Sequence, residues 1–270
     1  MYKKCLRYEW TMNILETLTN SGEEVRGQRL IIRDDQYELS ELQSILEQAA
    51  RKKVAVNLID SGQLDQPQLE LLTQFPFSYY TSDRTREDFL NLTLLSEILA
   101  KKKRPVYLLL EKNLNHNQEI FNHLEFFTSV FVSSREKAVD LDWLVSLSQV
   151  ISASGTNLVY YHHQNLEEKL TEVSQKSVWI HLSNRNFSED QEIMLSDLSK
   201  EIKKRKGQLV VHVDRAIPEH FLELLHRSGA FLIFNLPPME TGSKLYKLER
   251  SWRKKQLPER AYYLYPSIMA

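Results

Sequence analysis

The 270-residue chain has one cysteine, Cys5, only seven glycines, and a formal net charge of -1 from 35 basic and 36 acidic side chains. A single thiol excludes an internal disulfide and any site built on several thiolates, such as a zinc ribbon or an iron–sulfur cluster. The few glycines form no Walker or dinucleotide-type loop, so the backbone has few places to wrap a phosphate and nucleotide-fuelled chemistry is not expected. There is no G-x-S-x-G elbow, and Cys5 lies in the N-terminal segment, which leaves nucleophilic acyl transfer without a candidate.

Balanced charge creates no global field for nucleic acid or acidic lipid. The lysine runs KKKR (101–104) and KKRK (203–206) lack interleaved aromatics and read as basic last turns of helices. No apolar run approaches the roughly 18 residues of a membrane span, and MYKKCLRYEWTMNILETL lacks the apolar core of a secretory signal. The expectation is a cytoplasmic protein with no cofactor, no metal, no nucleic-acid partner and no direct membrane insertion.

What is present is an alternation. Short β-branched or aromatic runs recur at 29–34, 54–60, 77–83, 106–111, 130–134, 158–163, 178–183, 209–214 and 231–235. Each is too short for a helix and ends in polar or turn-forming residues, as buried parallel strands do. The segments between them have helical spacing. In SEDQEIMLSDLSKEIKKRKG, Ser188 and Gln191 form a capping-box pattern, Ile193, Leu195, Leu198 and Ile202 an apolar face, and Gly207 follows a basic last turn. In AIPEHFLELLHRSG, Pro218 suits a helix start and Gly229 a C-terminal cap.

Val54, Val106, Leu158 and Val210 open strands 52 residues apart, so each period holds two β-α units. Eight such units in succession predict an α/β fold of the (β/α)8 barrel type with an extra N-terminal strand and helix; two doubly wound lobes are the alternative. The expected layout is an N-terminal β-α extension over 1–50, a main α/β domain over 51–242, and a basic helix with an aromatic tail over 243–270. That tail is expected to pack on its own chain or to bind a partner.

In such folds function sits beyond the carboxyl ends of the strands. Asp34, Asp35, Asp60, Asp83, Arg84, Glu111, Lys112, Arg135, His162, His163, His181, Arg185, His212, Asp214 and Arg215 fall there. His162, His181, His212 and Asp214 are the candidates for a metal-assisted hydrolase, because imidazole both ligates and titrates near neutrality. Asp83, Arg84, Arg185 and Arg215 are the candidates for binding a ligand or partner through charge-assisted bonds. No short ligand signature such as H-E-x-x-H accompanies the histidines, so polar strand termini are the plainer reading and no catalytic residue is expected.

The order of VYLLLE, VFVSS, LVYYHH, VWIHLS, LVVHVD and FLIFNLPPM resembles the strand order of EAL-type cyclic-di-GMP phosphodiesterase barrels. In that resemblance His162 and His163 stand where the family has paired aspartates, Ser133 lies near its metal-binding glutamate, and Ile180 or His181 stands at its lysine. It therefore implies a non-hydrolytic copy that acts by binding. RLIIRDDQYELSELQSILEQAARKKVAVNLID and 177–240 resemble α/β modules of the BcsE family of cellulose-secretion regulators, which implies the same. Together they lead to the expectation of a catalytically silent regulatory or scaffolding protein, not an enzyme, that binds a protein partner and possibly a cyclic dinucleotide. The metal-assisted hydrolase is the alternative.

Overall fold

The computed structural model describes residues 29–111, 122–187, 191–216, 218–236 and 246–262. The chain divides into two compact units, Met1–Leu109 and Leu110–Ala270, the boundary falling at the last residue of a strand. Unit 1 holds β1 (Arg29–Arg33), α1 (Leu39–Lys52), β2 (Ala55–Ile59), α2 (Gln66–Leu72), β3 (Ser78–Ser82), α3 (Phe89–Lys101) and β4 (Val106–Leu110). Unit 2 holds β5 (Ser129–Ser133), α4 (Leu141–Ser154), β6 (Asn157–His162), α5 (Leu170–Val173), β7 (Val178–Ser183), α6 (Glu192–Lys204), β8 (Gln208–Val213), α7 (Glu219–Ser228), β9 (Phe231–Phe234) and α8 (Tyr246–Trp252).

Every neighbouring pair within a unit is parallel and follows chain order, β1-β2-β3-β4 in one and β5-β6-β7-β8-β9 in the other. This is the sequential strand order of a (β/α)8-type barrel, so the α/β, barrel-like expectation holds. Neither unit contains the reversal of strand order that defines a doubly wound lobe.

The central strands are buried along their whole length: β4 and β6 have no exposed residue. Side chains alternate between two faces. In unit 2, Val130, Leu158, Tyr160, Ile180, Leu182, Val211 and Val213 form one face, and Phe131, Val159, Tyr161, His181, Val210 and His212 the other, as the register requires.

Local chemistry sets the helix ends. Asp65, Asp88 and Asp140 cap α2, α3 and α4 by accepting a hydrogen bond from a first-turn N–H. Gly229 ends α7 at φ 93°, as expected of a left-handed cap. Gly207 has a different task from the one read in the sequence: α6 closes through Lys206, at φ 66°. A side chain at Gly207 would come within 2.2 Å of Ser174 Oγ, so glycine is required there by close approach. Ile193 is 74% exposed, a correction to the apolar face assigned to α6, whereas Leu195, Leu198 and Ile202 are buried. Gln191 rather than Ser188 occupies the N-cap, and Ser188 itself lies outside the described residues.

The C-terminal segment packs on unit 2 as far as it is described. Trp252 is buried against the edges of Phe231 and His226 at 5.3 and 5.5 Å between ring centres. Arg253 donates to the carbonyls of Phe234 and Leu236 and to Glu249. Further on, Ser129 Oγ donates to Arg260 O at 2.7 Å.

Unit 1 is organised at its strand ends by a buried ion pair. The Asp60 carboxylate accepts from Arg86 Nε and Nη2 at 2.9 and 2.8 Å, Thr81 Oγ1 at 2.6 Å and Gly62 N at 2.8 Å. Arg86 also donates to Leu64 O, and the two side chains are 7% and 0% exposed. Removing one member strands the other charge away from water. Arg86→Ala is therefore expected to cost about 3–5 kcal/mol in urea unfolding, and a loss below about 1 kcal/mol, the scale of an exposed pair, would contradict this burial.

Candidate functional site

The histidines near the ends of β6, β7 and β8 do not converge on one point: His181 and His212 meet, and His162 stands apart. His162 pairs in register with Leu182, so strand alternation puts it on the face opposite His181 and His212. Its Nε2 faces Asn165 O at 2.9 Å and its Nδ1 the Tyr160 hydroxyl at 3.0 Å. A carbonyl only accepts, so Nε2 carries the proton and Nδ1 receives the tyrosine O–H. Burial lowers the His162 pKa and keeps the ring neutral. Its role is to fasten the loop after β6.

His181 and His212 form a second chain. His181 Nε2 lies 2.8 Å from Ala261 O and its Nδ1 lies 3.0 Å from His212 Nε2. The carbonyl again assigns the tautomer: Nε2–H of His181 donates to Ala261, Nδ1 accepts, and Nε2–H of His212 is the donor. Burial, then the neighbouring His212, holds His181 well below the usual imidazole range, and burial takes His212 down to about 4. With both ring nitrogens of His181 and of His162 engaged, the metal-assisted arrangement is corrected on geometry. Among the described residues no group of three His, Cys, Asp or Glu side chains is placed to hold a metal.

Asp214 is likewise occupied. Its Oδ2 accepts from Ser183 Oγ and its Oδ1 from Asn235 Nδ2, both at 2.6 Å. The residue that builds this corner is Asn184, which sequence reasoning missed. Wholly buried, it accepts from the N–H groups of Asp214 and Arg215 at 2.8 and 3.0 Å and donates to Arg215 O at 2.6 Å. An asparagine one residue past a strand is a turn signal, but nothing local shows that its partners lie 30 residues away.

These fastenings shape an open cleft of about 800 Å³ at the carboxyl ends of β6, β7 and β8. Its walls include His163, Asn165 and Glu167 after β6, Arg185 and Phe187 after β7, and Arg215 after β8. Arg215 Nη2 donates to Phe187 O, which steadies it, and Phe187 is buried edge-on to Phe221. The Arg185 guanidinium is exposed and has no partner among the described residues; only its backbone N–H is used, toward Ser183 Oγ. Of the four predicted binding residues, Arg185 and Arg215 thus meet in one cleft. Asp83, buried, and Arg84, exposed, belong to unit 1. Lys112 lies outside the described residues.

No family model and no curated protein matches the chain. Solved structures do. A mutant tryptophan synthase alpha-subunit from the hyperthermophile Pyrococcus furiosus is 14% identical with a TM-score of 0.33, over 77% of this chain and 86% of that one. The chain from the tryptophan synthase a2b2 complex of the same organism is 12% identical with a TM-score of 0.35, over 84% and 91%. A putative fructose-1,6-biphosphate aldolase from Coccidioides immitis is 12% identical with a TM-score of 0.33, over 85% and 80%. These proteins are named as an enzyme subunit and a putative aldolase, not as regulators or scaffolds, and the expectation of a catalytically silent regulator is not retained. Among the described residues no helix is long and apolar enough to cross a membrane.

The histidine chain has a pH signature. A pKa depressed on folding means that the unfolded state binds the proton more tightly, so stability is full above about pH 6.5 and falls as pH drops toward the folded value. For His212, from about 6.5 to about 4, this amounts to about 3 kcal/mol, and His181 adds to it in the same direction. Urea unfolding between pH 7.5 and 4.5 is expected to show this decline, flattened in His181→Asn/His212→Asn. A wild-type curve level from pH 7 to 5 would contradict the buried neutral pair.

Proposed function

We propose that unit 2 acts on a small anionic substrate in the cleft at the ends of β6, β7 and β8, by acid–base chemistry. The observation that carries this reading is the meeting of Arg185 and Arg215 from consecutive strand ends in one polar cleft, with the Arg185 guanidinium uncommitted among the described residues. Guanidinium presents a planar fork of donors that matches phosphate and carboxylate oxygens, and its charge is constant near neutrality. Arg215, steadied by Phe187 O, supplies a fixed donor. Arg185 supplies one that can close on the ligand.

The remaining walls restrict the chemistry. Among the described residues they contain no cysteine, serine, threonine or lysine, so none of the described wall residues is a covalent nucleophile of those types. His163 and Glu167 are the wall residues whose side chains are of the general acid–base type. Phe187 adds apolar surface beside the arginines. A substrate with a phosphate or carboxylate and a short polar body fits this distribution.

Ethyl phosphate is the simplest probe. At low ionic strength, where surface electrostatics are least screened, it is expected to bind the full chain with an affinity that falls about tenfold in Arg185→Gln, the scale of one charge-assisted hydrogen bond. Isothermal titration reads this directly. Absence of binding, or equal affinity in the variant, would overturn the reading.

A further inference from the structure

The two sides of this cleft differ in charge. The segment after β6 contributes the Glu167 carboxylate beside the amides of Gln164 and Asn165, whereas the segments after β7 and β8 contribute the guanidiniums of Arg185 and Arg215. Glu167 is exposed, and among the described residues its carboxylate makes no hydrogen bond and no ion pair. Nor are the side-chain amides of Gln164 and Asn165 used among the described residues. Opposite charges thus face one cleft without neutralising each other.

For a ligand that is only an anion, Glu167 is a cost. A carboxylate in the same open cleft repels it and offsets part of what the arginines contribute. That cost becomes a gain for a ligand carrying a positive group toward the β6 side. There the carboxylate supplies the charge, and the carbonyl oxygens of Gln164 and Asn165 are further acceptors for N–H bonds. The loop bearing these groups is anchored from below: the buried His162 ring donates to Asn165 O, and Ser134 Oγ accepts from His163 N at 2.8 Å. Anchoring lowers the ordering cost of binding.

Resting on the anionic-substrate reading above, we propose that the ligand is bipolar: a small molecule with a primary ammonium a few bonds from a phosphate, its phosphate on Arg185 and Arg215 and its ammonium on Glu167. Recognition at both ends makes the cleft selective against simple phosphates and simple amines, each of which leaves one protein charge unanswered.

Three matched probes test this in the full chain: O-phosphoethanolamine, ethyl phosphate, which lacks the ammonium, and ethanolamine, which lacks the phosphate. By isothermal titration at low ionic strength, O-phosphoethanolamine is expected to bind about fivefold more tightly than ethyl phosphate, the upper range for an exposed ion pair. Ethanolamine is expected to bind most weakly. Glu167→Gln should erase the O-phosphoethanolamine advantage and leave ethyl phosphate bound at least as well as before. Its thermal unfolding should stay close to wild type, because among the described residues the carboxylate makes no hydrogen bond or ion pair and acts on His162 and Tyr160 only through its charge. Equal binding of the two phosphates, still dependent on Arg185, would overturn the bipolar ligand and leave the anion site standing. Persistence of the advantage in Glu167→Gln would do the same. Failure of both phosphates to bind would overturn both readings.

Discussion

The parallel register of β6, β7 and β8 is the constraint from which the cleft follows. Parallel pairing places Tyr161 beside His181 and Ser183 beside His212, and thereby brings the strand ends level. The first residue past β7, Asn184, then stands over the end of β8, where its N–H donates to His212 O at 2.9 Å and its side chain fastens the next two residues. A slip of one residue would reverse every side chain between the two faces. It would also separate Asn184 from its partners, and with them Arg185 from Arg215. The cleft is thus a consequence of ladder geometry made permanent by one buried amide.

The same alternation explains why the histidines serve structure. A strand buried on both faces has no water for its polar side chains, so each must find a partner within the protein. His181 finds the Ala261 carbonyl and His212, and His162 finds the Asn165 carbonyl and Tyr160. The two carbonyl bonds tie further segments to the sheet: the C-terminal segment, through Ala261, and the loop directly after β6, through Asn165. A neutral imidazole suits this work because it donates and accepts at once along opposite directions. Desolvation, which makes these rings poor bases, is what holds them in that neutral form.

Much of the fold was legible in the sequence because its signals are local. Nine short apolar runs stand within a residue or so of the nine strands, and Gly229 caps its helix as its position implies. Signals that need a second element were not legible. Ile193 has the spacing of a core residue, yet α6 turns it to solvent. Asp60 was visible as a polar strand end, but Arg86, 26 residues on, is its partner only through the packing of unit 1. His162, His181 and His212 look equivalent in sequence. Counting alternate residues along each strand puts the first on one face and the other two on the opposite one only once register is known.

The division of labour at the strand ends follows from burial. Groups at the end of a strand, such as the buried Asn184 and the half-buried Asp214, are committed to backbone and neighbouring side chains. Groups one or more residues farther along emerge into solvent, as Arg185, Glu167 and Asn165 do. A committed group is costly to recruit for a ligand, because binding would first have to break a buried hydrogen bond. An emergent one exchanges water for ligand at little cost. Side chains available for recognition therefore lie just beyond the corner, whereas His212 and Asp214 at the corner itself hold it in shape.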